Sequence, residues 1–553
     1  MKGTEAIVEI LACEDIPFAV VYPGSGIENV IVALAGDEKK RIRCILPRHE
    51  RVGMDILDGY ARVSGKAAVG LVCGGPGGGH ALTGISQSFC DSIPALLLKG
   101  QQSLQSVGTR SIQSVPTIES FQEVSKWACT VYRTERLPEV FRRAFTALRS
   151  GRLGPVVLEL PVDVTSGEIP DDQFSYSPVN NGFRYTADPA DVEEAADLLA
   201  EARDPYMVAG MGVMQSEAWG ELRQLAELLS APVGTTLNGK SAFPENHPLS
   251  VGMGGYPRSP MSTPQARYWA DKADVVLGVG NSFLTPLSSQ GAIPEGVKLI
   301  HVNIDPMESN RTRQPDVVLV GDARLVLKDL LVALRERLGK DRVINEDKAA
   351  KIKEMKEAWQ ASWTNKANST DKPIHPYAVT WEIMQNVDRV NTIILHDSGL
   401  VRWHLSYIYE AIAPRTYLGM GGQSLMGWTI GAAMGAKLAR PDALVIGVMG
   451  DGAFGMTGMD IETAVRTNLP IICLIQNNAS LGICKPNYGA NTDPVDLGGD
   501  YTKVAQGLGA HAQRVEDRRE LASALKSAIA ATKDGQPSVL EVMVALEKPM
   551  PDL

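Results

Sequence analysis

The chain has 553 residues, a formal net charge of −10 and 21% charged residues, which is room for about three domains of ordinary size. A mildly acidic balance without a basic run excludes nucleic acid as a partner. Seven cysteines contain no C-x-x-C pair, which argues against a zinc ribbon or a disulfide framework. No run of about 20 apolar residues marks a membrane span. Met1 leads directly into an amphipathic helical pattern without a secretory apolar core. A reducing, cytoplasmic setting is the expectation.

Apolar strand patterns at 18–22, 42–46, 67–73, 95–98 and 155–160 alternate with helical ones, and the alternation continues to the end of the chain. This reads as an α/β protein of parallel sheets covered by helices on both faces, the doubly wound arrangement. Two stretches rich in Ser, Pro, Asn, Lys and Gly, 165–189 and 364–376, read as linkers. They divide the chain into domains at 1–165, 190–345 and 375–553.

In the first domain, Arg48-His49-Glu50 follows the second strand and opens a helix running through Gly59-Tyr60-Ala61-Arg62. Gly75-Pro76-Gly77-Gly78-Gly79-His80 follows the third strand, where glycines permit positive φ and close backbone approach. Glu119-Ser120-Phe121-Gln122-Glu123 reads as a helix start. In the middle domain, Gly210-Met211-Gly212 and Gly278-Val279-Gly280 are strand-to-glycine turns of a dinucleotide-type fold, weak evidence for a nucleotide on their own.

The third domain carries the strongest chemical pattern. Asp397-Ser398-Gly399-Leu400 ends a strand and feeds a helix, a place where free N–H groups meet phosphate oxygens. Gly421 to Gly427 forms a second glycine-framed loop containing Ser424 and Met426. A buried strand at 443–449 then delivers Gly450-Asp451-Gly452-Ala453 at a glycine-flanked turn, a helix at about 460–467 crosses over, and a strand at 470–475 ends on Asn477-Asn478. A right-handed crossover returns the amides beside the carboxylate. Carboxylate and amide oxygens form a hard ligand set suited to Mg2+ or Ca2+ carrying a phosphate. The segment 486–499, rich in Asn, Asp, Gly and Pro, reads as a lid or a ligand-ordered loop.

Gly450-Asp451-Gly452 with Asn477-Asn478 resembles the signature of thiamine-diphosphate enzymes. The resemblance implies Mg2+ held by Asp451, Asn478 and the Ser480 carbonyl. It extends over the full length, closest to acetolactate synthases, and implies pyrimidine-binding, central Rossmann-like and diphosphate-binding domains. Arg-His-Glu with the following Gly-Tyr-Ala-Arg and Ser64-Gly65-Lys66 resembles the surroundings of the cofactor-activating glutamate, which makes Glu50 the catalytic carboxyl. By the same resemblance Asp397, Ser398, Gly399, Leu400, Ser424, Met426, Gly450, Asp451, Gly452, Ala453, Asn478 and Ile483 bind cofactor, with Met426 beneath it. Ser25, Gly26, His80, Phe121, Gln122 and Ile483 line the substrate pocket.

Acetolactate synthases usually carry Asn where His80 stands, whereas 2-hydroxyacyl-CoA lyases can carry His. The phrasing around Phe454-Gly455, Gly458-Met459 and Asn468-Leu469-Pro470 also resembles oxalyl-CoA decarboxylases and 2-hydroxyacyl-CoA lyases. Asn281-Ser282-Phe283 replaces the Arg-Phe-Asp-Asp segment of FAD-binding members, leaving FAD or an ADP or CoA nucleotide open. No His-His pair occurs, which favours ligation over aldehyde release. The resemblance thus implies decarboxylation of a 2-oxo acid such as pyruvate and ligation of the enamine to an acceptor carbonyl. The alternative is a 2-hydroxyacyl-CoA lyase or a benzaldehyde-lyase-type acyloin lyase, and an inactive regulatory paralogue is the outsider. A homodimer is the implied minimum and a homotetramer the expectation.

Overall fold

The computed structural model describes residues 1–179, 182–254, 261–283, 293–311, 313–339 and 343–547. Asn180 and Asn181 of the first linker and the last six residues of the third domain lie outside them. Three six-stranded sheets succeed one another along the chain. The first comprises β1 (Phe18–Tyr22), β2 (Arg43–Ile45), β3 (Val69–Val72), β4 (Leu96–Gln101), β5 (Trp127–Thr130) and β6 (Val156–Pro161), in the order β2-β1-β3-β4-β6-β5. The second comprises β7 (Pro205–Ala209), β8 (Val233–Thr235), β9 (Ser250–Met253), β10 (Val275–Val279), β11 (Lys298–Asn303) and β12 (Val317–Val320), in the order β12-β11-β10-β7-β8-β9. The third comprises β13 (Thr392–His396), β14 (Tyr417–Leu418), β15 (Leu444–Gly450), β16 (Ile472–Asn477), β17 (His511–Val515) and β18 (Ser538–Met543), in the order β14-β13-β15-β16-β18-β17.

Neighbouring strands within each sheet run parallel. Central strands such as β3, β4 and β16 are buried at every residue, because helices cover both faces and leave no polar side to alternate with. The strand order reverses between β1 and β3, between β7 and β10, and between β13 and β15. Those reversals open a crevice at the carboxyl ends of the strands, the usual ligand position in open α/β sheets.

Two expectations need correcting. The Glu346–Ala367 helix runs into the expected second linker. Polar residues dominate its composition, but Trp359, Trp363 and Ala367 recur at helical spacing and pack with Tyr377 and Tyr407. The run Gly75 to Gly79 is the first turn of the Gly75–Cys90 helix, and none of its glycines has a positive φ. Its glycines serve close approach instead: a Cβ on Gly78 would lie 2.7 Å from Lys99 Cε, and one on Gly77 2.8 Å from Cys73 Sγ.

The first and third domains share one apolar core, whereas the central domain has its own. Their seam is the crossing of the Glu50–Ser64 and Trp428–Ala439 helices. A Cβ on Gly59 would fall 2.1 Å from the Ala432 carbonyl oxygen, and one on Gly435 2.1 Å from that of Ile56. Only glycine allows backbones this close, so the two helices touch main chain to main chain and fix how the domains sit.

Candidate active site

At the third-domain reversal, Asp397 directly follows β13 and is fully buried. Its carboxylate accepts from the N–H groups of Ser398 (2.8 Å), Gly427 (2.9 Å) and Thr429 (3.1 Å). Asp397 therefore shapes the two loops, and its oxygens are already occupied. Gly399 (φ +89°) starts the Leu400–Ile408 helix, and Gly427 (φ +81°) starts the Trp428–Ala439 helix, left-handed positions that favour glycine. Ser398 Oγ and Ser424 Oγ lie 2.8 Å apart, which ties one loop to the other. The Met426 carbonyl accepts from the Arg51 guanidinium of the first domain.

Asp451 is the first residue of the Asp451–Thr457 helix, not part of a free turn, and Gly450 is its N-cap. β15 and β16 pair in register Gly450 to Gln476, so the two asparagines do arrive beside Asp451. They then part company. Asn477 is buried and donates to Glu541 (2.7 Å), whereas Asn478 faces the loop and its Oδ1 accepts from the Ser480 N–H (3.1 Å). Leu481 and Leu497 form backbone hydrogen bonds to Val495 and Ala479, folding segment 479–497 back over Gly452. A Cβ on Gly452 would lie 2.8 Å from Leu481 Cδ2, so the Leu481 side chain packs directly on this glycine. Ala453 is core, and Ile483 stands 48% exposed.

Asp451 is 2% exposed, yet its Oδ2 has no hydrogen-bond partner. Burial pushes its carboxyl up to about 6 against the opposing N–H groups of Gly452, Ser480 and Ala479. An orphaned buried oxygen is costly unless something compensates it. With the Asn478 amide at the end of the neighbouring strand, carboxylate and amide oxygens make a donor set that fits a hard divalent cation.

In the first domain, Glu50 begins its helix and is 6% exposed. Its Oε2 lies 2.9 Å from His80 Nδ1. The His80 and His49 rings stand 4.6 Å apart, and His49 Nδ1 accepts from the Arg51 N–H to cap the helix. His80, expected in the substrate pocket, is thus a direct partner of Glu50. Ser25 Oγ accepts from Gln102 Nε2 (2.6 Å), and Gly26 (φ +89°) presses on the Gln101 backbone. Phe121, also expected in the pocket, is fully buried. Its short helix turns Ile118 and Phe121 into the core and leaves Gln122 outward.

Sequence reading missed a buried junction of all three domains. The Arg62 guanidinium donates to Asp58 (2.6 Å), Asp91 (2.7 Å) and the Gly419 carbonyl (2.8 Å), and lies over the Trp428 ring. Asp91 accepts in turn from the Gly421 N–H (3.0 Å), the Gly422 N–H (3.3 Å) and Asn238 Nδ2 (2.9 Å). The glycine loop that carries Ser424 and Met426 therefore hangs on a first-domain carboxylate. The i,i+4 spacing of Asp58 and Arg62 is a sequence signal; Asp91 has none.

A cavity of about 1850 Å3 runs between the domains, bounded by Asn238 and Asn281 of the middle domain and by Arg402, Ser424 and Ile483 of the third. The residues there fit a nucleotide diphosphate poorly. The Gly210 and Gly212 N–H groups already donate to the Val279 and Gly280 carbonyls, and the Met211–Gln215 helix they open is a single turn and a half.

Comparison with known proteins agrees with this architecture. The families described as "Thiamine pyrophosphate enzyme, N-terminal TPP binding domain", "central domain" and "C-terminal TPP binding domain" match residues 1–123, 192–330 and 397–542. The "Probable acetolactate synthase large subunit" of Methanocaldococcus jannaschii is 33% identical, covering 100% of this chain and 93% of its own. "Acetolactate synthase 1, chloroplastic" of Nicotiana tabacum is 31% identical over 95% of this chain and 79% of its own. The Escherichia coli "Acetolactate synthase isozyme 3 large subunit" is 28% identical over 98% and 95%. This chain therefore belongs to the thiamine pyrophosphate enzymes, as a thiamine-diphosphate-dependent, acetolactate synthase-like member.

Proposed function

We propose that the protein, with thiamine diphosphate and Mg2+, decarboxylates a 2-oxo acid such as pyruvate and ligates the remaining fragment to an acceptor carbonyl. The observation that carries this reading is the orphaned Asp451 Oδ2 at a helix start beside Asn478 and Ser480. Asp451, Asn478 and the Ser480 carbonyl would hold the metal, and the loops at Ser398–Leu400 and Gly421–Gly427 the cofactor. When bound, the cofactor supplies the electron sink at which the carbon–carbon bond is broken and made. Glu50 would hold a proton at the pyrimidine ring nitrogen. Closure of segment 479–499 over Gly452 would exclude water.

The proposed assembly pairs Glu50 of one chain with the cofactor loops of another. Arg51 reaches the Met426 carbonyl of its own chain, whereas Glu50 faces the Gly75–Cys90 helix through His80. The side-chain hydrogen bond of Glu50 goes to His80 and none is made to its own third-domain loops among the described residues, and the assembly proposed is a homodimer in which Glu50 serves the partner's site, with a homotetramer built from such pairs. No helix among the described residues is long and apolar enough to cross a membrane, consistent with a cytoplasmic enzyme.

The test is incubation of purified, cofactor-loaded protein with pyruvate, following CO2 release and acetolactate. Both should appear, and both should stop when the metal is chelated. Inert pyruvate combined with cleavage of an acyloin or a 2-hydroxyacyl-CoA would replace the ligase reading with the lyase one.

A further inference from the structure

The loop that delivers Glu50 is held by the third domain. β2 ends at Ile45 and the next helix begins at Glu50, so residues 46–49 belong to neither. Pro47 lies among them and has no N–H. The backbone groups that flank it are both taken by the crossover helix Ile461–Arg466 and its N-cap. The Arg48 N–H donates to Asp460 Oδ1 (2.7 Å), and the Leu46 carbonyl accepts from Arg466 Nη2 (2.6 Å). Arg43 of β2 donates to the Thr467 carbonyl just beyond that helix. The Arg48 guanidinium also approaches Glu462, but at 3.8 Å and more than half exposed it adds little.

Asp460 departs from the ordinary use of its position. An aspartate at an N-cap usually accepts from an N–H of its own first turn, and the Asp460 side chain makes no such bond. Thr463 Oγ1 donates to Oδ1 (2.9 Å), the same oxygen that accepts from Arg48 across the domain boundary. Asp460 is 1% exposed, and burial pushes its carboxyl up to about 6 against these bonds. A carboxyl is thus kept where burial opposes its charge and its own helix gains no cap. The same stretch of chain carries the metal residue proposed above: the Asp451–Thr457 helix runs without a break into the turn Gly458–Asp460.

We propose that Asp460 is a positioning residue for Glu50, which it sets by holding the Arg48 N–H two residues upstream. One crossover unit then fixes both Asp451 and the carboxyl of Glu50. The proposal rests on the role given to Glu50 above. The bond is charge-assisted and acts on main chain, so it fixes where the Glu50 helix begins and not merely one side-chain rotamer. A carboxyl displaced by about 1 Å loses rate while the cofactor still binds.

The experiment compares wild type with Asp460→Ala, Asp460→Asn and Arg466→Met, as cofactor-loaded protein. Three quantities are measured: deuterium exchange at the bound cofactor's C2, kcat and KM for pyruvate, and backbone amide exchange over residues 46–53 by mass spectrometry. Asp460→Ala should slow C2 exchange and kcat about tenfold, leave KM within about twofold, and speed amide exchange over 46–53 about tenfold. Asp460→Asn, whose amide oxygen still accepts from the Arg48 N–H, should restore most of each. A lower melting temperature in Asp460→Ala with C2 exchange within about twofold of wild type overturns the proposal, because it leaves only a structural bond. Asp460→Asn as slow as Asp460→Ala overturns it too. Arg466→Met removes the second backbone bond and should slow C2 exchange about threefold. If Asp460→Ala does not fold, unchanged exchange in Arg466→Met overturns the proposal. If wild type promotes no C2 exchange, the reading of Glu50 fails by itself, and amide exchange over 46–53 still decides whether Asp460 holds the loop.

Discussion

His80 Nδ1 lies 2.9 Å from Glu50 Oε2, joining the carboxyl that opens one helix to a half-exposed imidazole on the next. One oxygen of Glu50 is thereby held, and its carboxyl plane is set by a side chain outside the Arg-His-Glu motif. Glu50→Gln should lose most turnover while binding thiamine diphosphate within about threefold of wild type. Near-normal turnover would remove Glu50 from its proposed role. His80→Ala should slow deuterium exchange at the cofactor's C2 by about tenfold, because a misplaced carboxyl costs rate even when binding persists. His80→Asn, whose amide can still hold the carboxyl oxygen, should restore most of it. Nuclear magnetic resonance of quenched samples reads the exchange, and His80→Ala exchange equal to wild type would leave the contact without a catalytic role.

Asp451 combines deep burial with an unpartnered oxygen, a combination that favours ligand binding over stability. Asp451→Asn should weaken Mg2+-dependent cofactor binding by at least about tenfold. The cofactor-free variant should melt at the wild-type temperature or above, because the change removes an uncompensated buried charge. Calorimetric titration and thermal melts separate the two effects. A variant that binds normally would move the metal elsewhere.

Asp91→Asn tests the junction under the glycine loop. Arg62 would lose one of its two carboxylates, and breaking such a buried pair costs about 3 kcal/mol. The Gly421 and Gly422 N–H groups would lose a charged acceptor at the same time. The expected outcome is a lower melting temperature together with a cofactor affinity about tenfold weaker. A lower melting temperature with unchanged affinity would make Asp91 a stabilising residue only.

Sequence legibility followed the range of the physics. Strand–helix alternation is local, and it was enough to read the parallel α/β architecture. The Asp451 and Asn478 pairing was legible because a single crossover unit fixes where its two ends meet. Long-range partners were not. Asp91 carries no local pattern and acts through residues more than 300 positions away in the Gly421 loop. Nor was the contact between His80 and Glu50, because a sequence does not say which of two helix starts face each other. The burial of Phe121 was not legible either, since the amphipathicity of its own short helix turns a residue at a site-like motif into the core.

Acid stability should depend on a buried histidine of the helix that the proposed cofactor loop opens. His404 lies on the buried face of the Leu400–Ile408 helix, its Nε2 has no partner, and burial holds its imidazole down to about 4 from an ordinary 6.5. Below pH 6.5 the unfolded chain binds a proton that the folded one refuses, so stability is lost as pH falls from about 6.5 to about 4. At pH 5 this amounts to about 2 kcal/mol, taking about 1.4 kcal/mol per unit. His404→Gln removes the titrating group at similar volume, and His396, pushed down to about 3 by the same cause, still titrates in both proteins. Between pH 7.5 and pH 5, denaturant titrations of the cofactor-free forms should show wild type losing about 2 kcal/mol more than the variant. Equal losses would mean that the folded chain protonates His404 as readily as the unfolded one, because the pocket opens to water before the proton arrives.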